Sequence, residues 1–351
     1  MPRSSHLGFS LIEVLISLVI ASTLAAGAFS AFSAQQLRQK KITAQQELIS
    51  SALATQTALE QITHNALAGF HQNGRPLCDK LWAARNSSVI RDDRDPFLPI
   101  KLSTENDAGG ALRAVGQSIN ISHIVSPNPA PIPLSAPASL SSATLHSFAP
   151  LMIGDEILLA QASNPSTCTS RIITNITKNP DNSTTLTFDN SDSTSRIYHK
   201  AQWRTPSVSS YPTGSFLIPV KSIITHEIGL RNNGLSGSWG GVVYDRLTYY
   251  PDLGLRPTLF FTNAAVAFSY KTFSKSTKSW NNPGDTPNPY DISAIRFSAS
   301  FYSTSFMSKN PHCTQTPLLF GQPTPIPSGL SKANCRLYHN LDIVLPIPNA
   351  P

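Results

Sequence analysis

The sequence predicts an α+β protein in which one long N-terminal helix packs its second half on an enlarged antiparallel β domain. Three patterns support this fold class: an uncharged N-terminal run, a helical spacing of apolar residues beyond it, and short strand-like runs through the rest of the chain. Only 13% of the 351 residues are charged and 28 are proline. This composition is more typical of a β-rich extracytoplasmic domain with long loops than of a cytosolic enzyme.

The N-terminal run is long enough to cross a membrane. Between residues 9 and 34 the sole charged residue is Glu13, and residues 14–34 carry no charge at all. As a helix, residues 14–34 span about 31 Å, which matches the apolar core of a bilayer. A carboxylate near the end of such a helix costs about 2.5–3.5 kcal/mol of insertion free energy, so we expect Glu13 to have a function.

The helical pattern continues beyond membrane length. Residues at three- or four-residue steps form one stripe, which consists of Leu48, Ala52, Thr55, Leu59, Ile62 and Ala66. No proline occurs between Arg3 and Gly74, and Gly69 is suited to end a helix. We therefore predict one helix with a bare apolar segment, residues 9–34, and an amphipathic continuation, residues 35–69.

Residues 70–351 are predicted to form the β domain. Strand-like runs occur at 156–160, 171–177, 184–189, 216–220, 223–228, 246–250, 258–261, 265–272, 292–302 and 341–345. The run 292–302 alternates strictly, which predicts one buried face formed by Ile295, Phe297, Ala299 and Phe301. Residues 126–150 contain six prolines among Ser and Ala, which predicts an extended loop or linker.

The four cysteines are Cys78, Cys168, Cys313 and Cys335, and no two of them have the spacing of a zinc site. In an extracytoplasmic domain their natural use is in disulfides. Cys313 and Cys335 bracket a proline-rich loop that a disulfide would restrain, and a Cys78–Cys168 pair then follows only by elimination. Free buried thiols are the alternative.

No residue set predicts catalysis, a metal site or a cofactor. The segment 226–230 (HEIGL) begins like a zinc-protease helix but has Leu230 where the second histidine is needed. Asp181, Asp189 and Asp192 lie among Asn and Ser, but their spacing does not match a calcium loop. The formal net charge of +7 comes without a basic cluster, so nucleic-acid binding is left open.

Residues 8–15, GFSLIEVL, resemble the N-terminus of type IV prepilins and type II secretion pseudopilins. The resemblance implies that a membrane peptidase cuts between Gly8 and Phe9, removes the leader 1–8 and methylates Phe9. It also implies that the apolar helix first anchors the subunit and later packs in a filament core. There Glu13 would neutralise the terminal ammonium of its own Phe9 or of a neighbouring subunit, since an unpaired buried charge is costly. A cleavable secretory signal has a shorter apolar run, and an ordinary signal anchor gives no reason for this motif.

About the last third of the chain resembles minor pilins of the PilW type, which are related to pseudopilin J of type II secretion. The segments that carry this resemblance are 264–273 and 292–302. This resemblance implies a minor pilin that primes or caps filament assembly at the tip. Its partners would be other minor pilins, the major pilin, the prepilin peptidase and the inner-membrane assembly platform. It would span the inner membrane once, with a periplasmic domain, before it enters the pilus.

Two other functions stay open at this point. One is a J-like pseudopilin of type II secretion. The other is a tip adhesin or DNA-uptake subunit in which loops such as 126–150 contact a ligand. An anchored periplasmic enzyme would need a catalytic residue set that this sequence does not offer.

Overall fold

The computed structural model describes residues 10–72, 75–78, 82–83, 100–103, 118–126, 131–146, 150–161, 164–189, 197–198, 210–230, 241–250, 254–283, 285, 287–308, 316–324 and 335–348. In these residues it has one helix of more than one turn, α1 (Leu11–His64). The strands that it contains are, in chain order, β1 (His71–Gln72), β2 (Arg75–Pro76), β3 (Trp82–Ala83), β4 (Ile100–Ser103), β5 (Ser118–Val125), β6 (Ile132–Pro133), β7 (Ala138–Ser139), β8 (Ser142–Leu145), β9 (Glu156–Gln161), β10 (Asn164–Lys178), β11 (Thr184–Phe188), β12 (Ile197–Tyr198), β13 (Ser210–Tyr211), β14 (Phe216–Val220), β15 (Ser222–Leu230), β16 (Gly241–Tyr250), β17 (Gly254–Ser274), β18 (Ser279–Asn281), β19 (Ile292–Ser308), β20 (Leu318–Leu319), β21 (Gln322–Pro323) and β22 (Cys335–Pro346).

The two predicted parts of the helix differ in their surroundings. Every described residue from Ser10 to residue 43 is exposed, whereas the whole predicted stripe from Leu48 to Ala66 is buried. The stripe packs with large side chains of the β domain, which include Phe268, Tyr270, Ile295, Phe297 and Phe301. The predicted α+β arrangement is therefore confirmed: one long helix with a bare first half lies against a mostly antiparallel β domain.

The helix packs on a large antiparallel sheet with strand order β22-β19-β17-β16-β15-β5-β4, in which β18 also pairs with β17. The predicted inner face of β19 is confirmed, because Ile295, Phe297, Ala299 and Phe301 are at most 2% exposed. The expectation of only one buried face is wrong for part of this strand. Ser298 and Ser300 on the other face are also buried, and Ser298 Oγ accepts a 2.9 Å hydrogen bond from the backbone N–H of Phe320, in the β20–β21 hairpin.

A second, smaller sheet adjoins the large one and has the strand order β6-β14-β9-β10-β11-β8. Its strand β14 leads through Lys221 directly into β15, and the Lys221 N–H donates to the carbonyl oxygen of Val125 in β5 (2.9 Å). The two sheets and the segment after α1 share one apolar cluster, which contains Phe70, Leu77, Cys78, Ile124, Leu158, Ala160, Cys168, Ile218, Val220 and Ile223. The small sheet therefore joins the domain at the C-terminal end of α1, away from the bare half.

Residues 126–150 are not simply a loop. Within them β6, β7 and β8 add strands, and β8 pairs with β11 from Ser142 to Leu145. The prolines predicted a loop, but proline is compatible with an edge strand. Pro133 lies in the edge strand β6, where a missing N–H removes no bond from the sheet.

Two strand-like runs that the sequence separates belong to one strand. The predicted runs 258–261 and 265–272 both lie in β17, which has a register shift between Ala265 and Ala267.

The exit from α1 is a tight turn rather than more helix. The helix ends at His64, a few residues before the predicted end, and Leu67 and Gly69 have φ angles of +66° and +77°. The carbonyl oxygen of Ala68 accepts from the N–H of Ile124 in β5 (2.8 Å). A Cβ atom on Gly69 would lie only 2.6 Å from the Cβ of Ile124. The turn therefore requires glycine both for its φ angle and for the close approach of β5.

We expect Gly69→Ala to lower the free energy of unfolding by about 1–3 kcal/mol from backbone strain alone, with the clash against Ile124 added to it. Gly154→Ala is the matched control, because Gly154 has a φ of +96° and open space around it. Thermal unfolding of the purified full chains measures both. Equal destabilisation by the two variants would contradict the importance of the Ile124 contact.

Candidate processing and assembly site at the helix N-terminus

The N-terminus of α1 is closed by a reciprocal pair of hydrogen bonds. Ser10 is the N-cap residue, and its Oγ accepts from the backbone N–H of Ile12 (3.4 Å). The Glu13 carboxylate extends back and accepts from the backbone N–H of Ser10 (3.3 Å). The pair satisfies donors that the first helical turn leaves without partners. The charge of Glu13 is therefore held at the helix end and not along its side.

This position bears on the predicted cleavage. Gly8 and Phe9 lie outside the described residues, so the cleavage site itself has no described geometry. Cleavage after Gly8 would create a terminal ammonium on Phe9, directly before Ser10 in the chain. We therefore expect the Glu13 carboxylate, bonded to the N–H of Ser10, to be close to the new terminus of its own chain. A neighbouring subunit's terminus remains the alternative partner.

The first half of α1, called the bare half above, is as apolar as a buried helix. In the described part of the chain no other element packs on it. Its large apolar side chains are open to the outside: Leu11 is 80% exposed, Leu24 68% and Phe29 75%. Among the described residues α1 is the one helix long and apolar enough to cross a membrane. An apolar surface of this extent needs a membrane or other helices around it.

Four hydroxyl groups on the bare half are satisfied within the helix. The hydroxyls of Ser17, Ser22, Thr23 and Ser33 each donate to a backbone carbonyl three or four residues earlier, at 2.5–2.9 Å. A hydroxyl bonded within its own helix does not need water, so these residues do not prevent burial in lipid or among helices. Glu13 is left as the one ionisable side chain that such burial must accommodate between residues 10 and 34.

A disulfide joins Cys78 to Cys168, with their Cα atoms 5.5 Å apart. It connects the segment that follows α1 to β10 of the small sheet, and the Tyr290 hydroxyl, just before β19, donates to the carbonyl oxygen of Cys78. The pairing is the one left by elimination from the sequence. Cys313 lies outside the described residues, so its bond to Cys335 at the start of β22 stays a prediction.

His226 and Asp181, whose residue types allow metal binding or catalysis, make structural contacts instead. His226 is in β15, not in a helix, and its ring stacks on that of His123 in β5 with 5.7 Å between ring centroids. Asp181 accepts from the N–H and the hydroxyl of Ser183 (3.0 and 2.6 Å), and these bonds lower the pKa of the Asp181 carboxyl. Asp181 therefore stabilises its own turn. Within the described residues no group of three His, Cys, Asp or Glu side chains is placed to hold a metal ion.

Comparison with known proteins identifies the N-terminal site. Residues 3–29 match the family model described as the prokaryotic N-terminal methylation motif. No curated protein and no solved structure gives a significant match. Together with the bare helix and the β domain, the motif supports the class of type IV pilins and pseudopilins. For that class it implies processing by the prepilin peptidase, anchoring in the inner membrane before assembly, and assembly with other pilins.

Proposed function

We propose that the protein is a minor pilin of a type IV pilus, of the PilW type, which primes or caps filament assembly at the tip. The observation that carries the proposal is the methylation motif at the start of a helix whose first half is wholly exposed. The size of the β domain favours the end position. Two sheets joined through a shared cluster form a subunit that is easier to accommodate at a filament end than in a shaft, where neighbours surround every subunit.

The proposed mechanism assigns a step to each part of the helix. The bare segment inserts into the inner membrane, and the peptidase cuts between Gly8 and Phe9 and methylates Phe9. The helix then leaves the lipid and packs against helices of other minor pilins and of the major pilin. Glu13 neutralises the terminal ammonium in the dry filament core, where an unpaired charge would oppose packing. The amphipathic half keeps the β domain fixed to the helix throughout.

Two measurements on purified pili test this function. We expect mass spectrometry to find a chain that begins with methylated Phe9, because GFSLIEVL places a small residue before the apolar helix. We expect an antibody against the β domain to label filament ends.

A pair of leader variants tests the cleavage site itself. Gly8→Val should leave the full-length chain in the membrane, whereas Leu7→Val, one residue earlier in the leader, should be cut normally.

An intact Met1 terminus in wild-type pili would refute the processing, and labelling along the whole shaft would refute the tip position.

A J-like pseudopilin of type II secretion carries the same motif and is the second candidate function. In that case deletion would abolish protein secretion and leave pilus number unchanged. Loss of adhesion or DNA uptake with normal pilus number would instead indicate a binding module at the tip.

A further inference from the structure

Strand β22 forms a long, regular edge of the large sheet. It pairs with β19 on one side without a register break over nine residues, from Tyr338 opposite Tyr302 to Pro346 opposite Ala294. On its other side no strand pairs with it in the part of the chain that the structure describes. The opposite edge strand, β4, has only four residues. β22 is therefore the edge that can template a further strand.

The register shows which backbone groups point away from β19. Ile347 N–H donates to the carbonyl oxygen of Ser293 (2.9 Å), and in an antiparallel pair such bonded positions alternate with unbonded ones. The odd-numbered residues therefore bond to β19, and the even-numbered ones present their N–H and C=O groups at the free edge; these are Tyr338, Asn340, Asp342 and Val344. Pro346 occupies the next outward position, where its missing N–H removes no bond to β19.

This edge has few of the features that usually prevent strand addition. Proteins protect exposed edges with charged side chains, above all lysine, and with prolines or bulges. Residues 338–346 have no lysine and no bulge, and their proline is at the very end. The one acid, Asp342, is held by Arg296 of β19 through two hydrogen bonds of 2.8 and 2.6 Å, so its charge does not repel an incoming chain.

Side chains on both faces of β22 leave apolar surface for a further strand to cover. Ile343 and Leu337, on the side of α1, pack against the main core but are only partly buried. Val344, on the opposite face, is 54% exposed. A strand beside β22 would cover these three side chains and pair the free backbone groups at the same time.

We propose that β22 accepts an extended segment of a neighbouring subunit of the filament as an added strand. An extended polypeptide is the occupant because it supplies N–H and C=O groups at the alternating spacing that the edge presents, which lipid and nucleic acid do not. A neighbouring subunit is the source because the bare half of α1 holds several such chains side by side; this part rests on the proposed function. The segment carries apolar residues toward α1 and polar residues toward Asn340 and Asp342.

Val344→Pro tests the proposal with little change to the fold. It removes an outward N–H and puts a ring where the partner strand would lie, while every bond between β22 and β19 remains. Val344→Thr is the matched control, because it keeps the N–H and the branched side chain. In both variants cleavage at Gly8 and the unfolding temperature of the purified chain should remain close to wild type.

The readout is photo-crosslinking in intact cells, with Pro346 replaced by p-benzoylphenylalanine in the full chain. We expect an adduct with another pilin subunit, and Val344→Pro should reduce its yield by at least about tenfold, while Val344→Thr does not. An adduct that mass spectrometry assigns to this chain's own residues, or one whose yield Val344→Pro leaves unchanged, overturns the proposal. So does an absent adduct in a strain whose pili assemble normally. If pili form and depend on Glu13 in such a strain, the proposed function stands and only the added strand is wrong.

Discussion

Glu13→Gln should reduce piliation to nearly that of a deletion strain while membrane insertion and cleavage after Gly8 continue. The substitution keeps the size of the side chain and removes its charge. In a dry filament core the terminal ammonium of Phe9 then has no counter-charge. Breaking a buried pair in this way costs about 3–5 kcal/mol, which shifts an assembly equilibrium by more than about a hundredfold. Pilus counts and the amount of this chain in the sheared pilus fraction measure the effect.

The capping geometry supplies a matched control for this experiment. A Gln side chain at this position still accepts from the N–H of Ser10, so Glu13→Gln preserves the reciprocal cap and isolates the charge. Ser10→Ala removes the hydroxyl of the cap and keeps the charge, at a cost of about 0.5–2 kcal/mol to the helix end. We expect Ser10→Ala to assemble far better than Glu13→Gln. Normal pilus numbers with Glu13→Gln would show that the carboxylate is not an assembly residue.

Removal of the Cys78–Cys168 disulfide should lower the free energy of unfolding by about 2–5 kcal/mol. The two cysteines are 90 residues apart in sequence, and the entropy that a crosslink removes from the unfolded chain grows with the length of the loop it closes. The double variant Cys78→Ala with Cys168→Ala is the test, measured by thermal unfolding of the purified chain. We expect part of the lost stability to arise where the small sheet joins the domain, because this bond connects the segment after α1 to that sheet.

Reduction of both the wild-type chain and the double variant provides the control, because a reductant also breaks the predicted Cys313–Cys335 bond. Reduction keeps both sulfur atoms in the cluster around Phe70 and Leu77, which the substitutions remove. If the two chains differ in stability before reduction and are equally stable after it, the Cys78–Cys168 crosslink is the cause. Free thiols at Cys78 and Cys168 in protein taken from the periplasm would contradict the bond itself. Non-reducing digestion of the same protein tests the Cys313–Cys335 pair, whose two peptides should remain linked.

Local periodicity was sufficient to predict the buried stripe of the helix and the inner face of β19. The stripe from Leu48 to Ala66 repeats at helical spacing, and every member of it is buried. The alternation in residues 292–302 predicts the inner face of β19 for the same reason, since the side-chain period of two is fixed by the backbone. The capping role of Glu13 was missed, although Ser10 followed three residues later by Glu13 is the pattern that signals it.

Other features were beyond prediction because they depend on pairing between distant parts of the chain. The short strands β6, β7 and β8 have no alternation long enough to recognise, and each forms only because a partner strand far along the chain is presented to it. The strands β4 and β5 were missed for a similar reason, because they are isolated between segments without a clear pattern. Prolines in this region argued for a loop, whereas edge positions tolerate them.

The sequence by itself determined the class of site and the two-part helix. The motif at residues 8–15, the uncharged run that follows and the stripe beyond it are local patterns, and a helix satisfies its backbone hydrogen bonds within its own segment. The tertiary structure alone decided which residues surround that helix. It assembled most of the longer strands into the large sheet and the small sheet, paired Cys78 with Cys168, placed Gly69 against Ile124 and left β22 at a sheet edge. Each of these depends on contacts between residues far apart in the chain, and a strand, unlike a helix, completes its hydrogen bonds only with such partners.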